Sequence, residues 1–78
     1  SVLHSVLMPG AVVENGAVVE YAIIGEHTVV GCGAHIGSAP DGSEGWGITV
    51  VGPETAVPAS YQLAANHMLS KNMKEVAR

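Results

Sequence analysis

No lysine or arginine occurs before Lys71, and Lys71, Lys74 and Arg78 are the only such residues in the 78-residue chain. Nucleic-acid binding rests on neutralising phosphates with Lys and Arg. With a formal net charge of −4, that partner class is excluded. The same absence argues against a self-contained site for a sugar phosphate, a nucleotide or coenzyme A, although glycine-rich backbone can hold phosphate through its N–H groups. Phenylalanine is missing and the aromatics are one Trp and two Tyr, so the core is expected to be aliphatic and narrow. A single cysteine, Cys32, allows no internal disulfide, which agrees with a cytoplasmic location. No apolar run approaches the ~20 residues needed to cross a bilayer, and no membrane partner is expected. Glycine is also absent from the last third: all ten lie before Pro53.

What the chain has in quantity is periodicity. Through residues 7–37 an aliphatic returns almost every six positions, at Leu7, Val13, Val19, Ile24, Val30 and Ile36, with one five-residue step. Two residues before each stands a small one: Ser5, Ala11, Ala17, Ala22, Thr28 and Ala34. A helix would space its aliphatics three or four apart, and a half-buried strand would alternate them by two. A sustained six-residue period is instead the mark of a parallel β-helix. Each unit is a short strand and a corner, the aliphatic pointing inward and the small residue filling the tight space beside the corner. Leu3 and Leu7 are expected to face inward, with Ser5 at a corner. Gly25, Gly31, Gly37 and Gly52 are expected to supply corner backbone angles that other residues avoid. One aliphatic buried in this way contributes roughly 1.5–3 kcal/mol, so stability requires successive units to stack.

The period breaks at residues 38–47 (SAPDGSEGWG), a polar stretch read as a loop inserted at one corner, and resumes at Ile48 with Val51 and Val57 six apart. Two readings compete for residues 60–76. Tyr61, Ala65, Leu69 and Met73 stand four apart behind Ser60, which is helical spacing with an N-cap. Val57, Leu63 and Leu69 continue the six-residue step instead. The second is preferred here, giving a terminal coil and a polar capping tail over residues 64–78. Residues 1–78 are thus expected to form one β-helix domain. The opening at Ser1, already within the apolar pattern, is read as a fragment from the C-terminal end of a longer protein.

Few side chains invite chemistry. A three-histidine metal site shared between chains, as in the γ-class carbonic anhydrases, needs two histidines five apart; here His4, His27, His35 and His67 are separated by 23, 8 and 32. No metal ligand is assigned. His27 or His35 could be cast as the general base of a hexapeptide acyltransferase, but both occupy outward or corner slots where polar residues belong in any case. Cys32 has no neighbouring base or cation to lower its pKa. Asp41 and Glu44 read as solvating charges on a glycine-rich loop. Trp46, ending that loop, is expected to anchor it on an apolar face, the alternative being to dock on a partner.

The run at residues 5–37 (SVLMPGAVVENGAVVEYAIIGEHTVVGCGAHIG), the acidic loop and then Trp46-Gly47-Ile48-Thr49-Val50-Val51-Gly52 resemble the C-terminal domain of bacterial glucose-1-phosphate adenylyltransferase (ADP-glucose pyrophosphorylase). Hexapeptide repeats alone are shared by many acyl- and nucleotidyltransferases; the order repeat, loop, WGI-VVG is more specific. The tail VPASYQLAANHMLSKNMKEV resembles that family's closing coil but lacks its usual glycine. The resemblance implies an all-β, left-handed parallel β-helix of about three coils, whereas the usual crossover rule favours the opposite hand. It implies a parent enzyme that makes ADP-glucose from ATP and glucose 1-phosphate for glycogen synthesis. The nucleotide loop and Mg²⁺-binding acids of that enzyme belong to an N-terminal catalytic domain, so ATP and Mg²⁺ are expected there and no cofactor here. The partners implied are that catalytic domain and further copies of the chain, a homo-tetramer in the parent. No residue matches the family's effector-binding cations between Ser1 and Ser70, so no catalytic, cofactor or metal residue is assigned.

Overall fold

The computed structural model describes residues 1–77; Arg78, the last residue of the expected tail, lies outside them. Among the described residues there is no helix, and the chain forms short strands of two or three residues. In chain order these are β1 (Val2–Leu3), β2 (Val6–Leu7), β3 (Val12–Val13), β4 (Val18–Glu20), β5 (Ala22–Ile24), β6 (Val29–Val30), β7 (His35–Ile36), β8 (Thr49–Val51), β9 (Ala56–Val57), β10 (Gln62–Leu63), β11 (His67–Leu69) and β12 (Glu75–Ala77). Every third strand joins the same sheet. A first sheet runs β1-β4-β7-β10, a second β2-β5-β8-β11-β12 and a third β3-β6-β9. All pairings among β1 to β11 are parallel, an arrangement compatible with a β-helix. The helical spacing across residues 60–76 is overridden by β10 and β11, which extend the first two sheets.

The six-residue aliphatics become columns. Val19, Ile36 and Leu63 align in the first sheet, Ile24, Val51 and Leu69 in the second, Val30 and Val57 in the third. All eight are buried, and the small positions Ala17, Ala22, Thr28, Ala34, Thr49 and Thr55 are buried beside them. Buried hydroxyls need partners, and the threonines have them: Thr28 Oγ1 donates to Gly52 O at 2.8 Å, Thr49 Oγ1 to Ala64 O at 2.9 Å and Thr55 Oγ1 to Gly52 O at 2.9 Å.

Two sequence expectations are corrected. Leu3 does not face inward: it is in register with Glu20, and Val2 takes the inward column beside Val19. The physical reason is that the five-residue step from Val19 to Ile24 recurs one layer earlier, from Val2 to Leu7. Both Val2 and Leu7 sit in strands at the outer edge of their sheets and are 41% and 40% exposed. The second correction concerns the corner glycines. Of the four, only Gly37 adopts a left-handed backbone, with φ +81°. Gly25 and Gly31 are glycines because of close approach. A Cβ on Gly25 would lie 2.5 Å from Pro53 N, and one on Gly31 2.7 Å from both Ala59 N and Val57 O. Several left-handed positions are taken by other residues, among them His4, Tyr21, His27, Glu54, Ser60 and Asn66.

Strand partners are 17 residues apart in the early pairs, such as Ile23 below Val6 and Val29 below Val12. Across the interruption they are 27 apart, as in Val29 with Ala56. The ten additional residues are taken up between β7 and β8. Trp46 ties this excursion down: its Nε1 donates to Ser38 O at 2.9 Å, and its ring meets Tyr21 edge-on at 5.8 Å. Tyr21 in turn stacks on His4 at 4.8 Å. Trp46→Ala is expected to raise the rate at which a glutamate-specific protease cuts at Glu44 severalfold, while the thermal midpoint moves by only a few degrees. An unchanged cleavage rate would show that the ring contact does not hold the loop.

Candidate functional site

The side chains with chemical potential gather where the first sheet ends, at β10, and meets β12. A column of small residues sets up this end. Ala17 and Ala34 are the buried small residues two places before Val19 and Ile36; two places before Leu63 the corresponding residue is Tyr61. No further strand follows β10 in that sheet, so the position has room for a ring. Tyr61 is half-buried and packs against the core. Its hydroxyl donates to Glu75 Oε1 at 2.8 Å.

Glu75 reaches this point because the chain reverses after β11. Ser70 N–H donates to Lys74 O at 3.0 Å and Met73 N–H to Ser70 O at 2.8 Å, with Met73 left-handed at φ 61°. The reversal lays β12 antiparallel on β11, pairing Leu69 with Glu75 and His67 with Ala77. The second oxygen of Glu75 lies 2.5 Å from His67 Nδ1. An ionised carboxylate only accepts, so His67 carries its proton on Nδ1. His67 and Tyr61, as donors, hold the Glu75 carboxyl below the usual carboxylate range, and bonding to Glu75 raises the Tyr61 phenol above its ordinary value.

A second pair lies on the neighbouring strands. His35 Nε2, on β7, is 2.6 Å from Glu20 Oε2 on β4. By the same rule Nε2 holds the proton, and a neutral His35 keeps a lone pair on Nδ1. His35, Gly37, Gln62, Leu63, Ala64 and Glu75 line an open depression of about 340 Å³. The depression is lined by one imidazole, one carboxylate whose two oxygens are already bonded to Tyr61 and His67, and one amide, with no Lys or Arg among its lining residues.

The remaining sequence candidates are dispersed. His27 is exposed at a left-handed corner, its ring over Gly10, where a Cβ would collide with it. Cys32 is free and exposed. Asp41 accepts from Ser43 N–H at 2.9 Å, and the Ser43 bonds hold it below the usual carboxylate range; Glu44 is exposed nearby. Among the described residues no three His, Cys, Asp or Glu side chains come together as a metal site. Among the described residues no helix is long and apolar enough to cross a membrane. Sequence reading missed Glu20 as the partner of His35, and it missed the Tyr61–Glu75–His67 group. One signal was available: a tyrosine in a slot otherwise held by alanine marks where stacking stops.

Comparison with protein-family models, with curated proteins and with solved structures returns no match for this chain.

Proposed function

We propose that this chain is the C-terminal oligomerisation and regulatory domain of a glucose-1-phosphate adenylyltransferase, folded as a left-handed β-helix of about three coils. In this reading the parent enzyme works in the cytoplasm, assembles as a homo-tetramer and makes ADP-glucose for glycogen synthesis. ATP and Mg²⁺ are handled by the N-terminal catalytic domain, on which this domain packs. The observation that carries the reading is the register of the three sheets, interrupted once by the loop that leads into Trp46-Gly47-Ile48-Thr49-Val50-Val51-Gly52. The test is pyrophosphate release from ATP and glucose 1-phosphate, with Mg²⁺, by the full-length parent beside a version truncated before Ser1. Activity in the parent, with tetramer or effector response lost on truncation, is the expected result. Inactivity with and without effectors would move the assignment to a regulatory paralogue or another sugar-phosphate nucleotidyltransferase.

His35 with its Glu20 partner favours one second reading, a hexapeptide-repeat acyltransferase in which His35 is the general base. That reading requires thioester-dependent acylation that His35→Gln abolishes.

A further inference from the structure

We infer that β12 is a releasable strap over the edge of the second sheet, fastened by the Glu75 carboxylate to Tyr61 and His67. Its pairing with β11 is the one antiparallel pairing among the described strands. All three of its residues, Glu75, Val76 and Ala77, are exposed, so burial adds little to hold it. Among the described strands the first and third sheets end at β10 and β9 with no equivalent cover. The buried columns of Val30, Ile36 and Leu63 are thus complete without it, and lifting the strap leaves them in place. What it covers is the outer edge of β11, whose backbone groups near Met68 and Ser70 would otherwise be free to pair with another strand.

The fastening is a carboxylate between two donors, Tyr61 O–H at 2.8 Å and His67 Nδ1 at 2.5 Å. The other titratable groups around it are His35 on β7, which lines the same depression and is paired with Glu20 on β4. Lys74 adjoins Glu75 in sequence, and Lys71 lies 3.4 Å from Glu54. None of these competes for the two Glu75 oxygens. Glu75 is faced by His67 through Nδ1 and by Tyr61 through its hydroxyl, one donor to each carboxylate oxygen. Glu75 has a depressed folded-state pKa, so its contribution is present above the usual carboxylate range and is lost as pH falls through the depressed value. The release is therefore an acid one, and neutral Glu75 is its trigger.

Amide hydrogen exchange on the whole chain tests this. At pH 7, Glu75→Gln is expected to cut protection at Met68, Ser70 and Val76 about tenfold, with Val30, Ile36 and Leu63 unchanged, which is sub-global opening. Tyr61→Phe, which removes one donor and keeps the ring, is expected to give a smaller loss at the same amides. As pH is lowered through the Glu75 titration, the unsubstituted chain should lose protection at these amides until it matches Glu75→Gln, which should itself lose nothing more at them. Unchanged protection in Glu75→Gln, loss spread over all three sheets, or an acid-induced loss at these same amides in that variant would each overturn the strap.

Discussion

Val30→Asp is expected to abolish the cooperative thermal transition. Val30 is fully buried in the third sheet between Val13 and Val57, and nothing in that column can pair with a charge. The effective penalty for an unpaired buried ion is several kcal/mol. A domain of this size has about 5–15 kcal/mol of total stability, and small domains sit towards the low end. The substitution removes most or all of that. Val29→Asp, one residue away, is the matched control: Val29 is 37% exposed on the opposite side of the same strand, and the variant should melt within a few degrees of the parent. The measurement is far-ultraviolet circular dichroism against temperature at pH 7. Equal melting of the two variants would refute the inward assignment of Val30 and, with it, the alternation that places every buried column.

Gly31→Ala is the second large effect, and its cause is different. Gly31 is buried and its N–H donates to Val57 O at 2.9 Å. The atoms a new methyl would meet are backbone: Ala59 N and Val57 O at 2.7 Å and Pro58 C at 2.8 Å. Backbone in a paired sheet cannot swing aside as a side-chain tip can, so the strands around β9 must move apart. Overpacking of this kind costs about 1–3 kcal/mol. At about 4–8 °C per kcal/mol for a domain of this length, the midpoint should fall by roughly 5–20 °C. Gly45→Ala meets nothing within 4 Å and is not left-handed; it should leave the midpoint unchanged or raise it slightly by restricting the unfolded chain. Equal midpoints for the two variants would remove close approach as the reason for glycine at position 31.

The columns were legible in the sequence because a residue's inward or outward aspect is a local property that repeats. Val19, Ile24, Val30 and Ile36 declare themselves by spacing, and the threonines at 28, 49 and 55 do so by standing in slots otherwise held by alanine or serine. Two things were not legible for physical reasons. Leu3 and Val2 are both aliphatic, and only the partner strand decides which faces in. Glu75 meets Tyr61 and His67 because the chain reverses at residues 70–74, and a forward-running period carries no information about a reversal. Glu20 and His35 are diagonal neighbours on adjacent strands, 15 residues apart, a relation visible only once the 17-residue register is known. The glycines were located but explained by the wrong constraint: at Gly25 and Gly31 the limit is the neighbouring backbone, not the backbone angle.

The ten residues between β7 and β8 bear on how such a chain tolerates growth. Lengthening the separation of paired strands from 17 to 27 residues raises the entropic cost of closing that circuit only logarithmically, by about 0.4 kcal/mol. The strands on either side keep their partners, and Trp46 contacts the excursion's base through Tyr21 and Ser38 O. This corner is therefore a natural port of insertion, where additional polypeptide could be hung on the outside of the molecule while the stacked interior continues undisturbed beneath it.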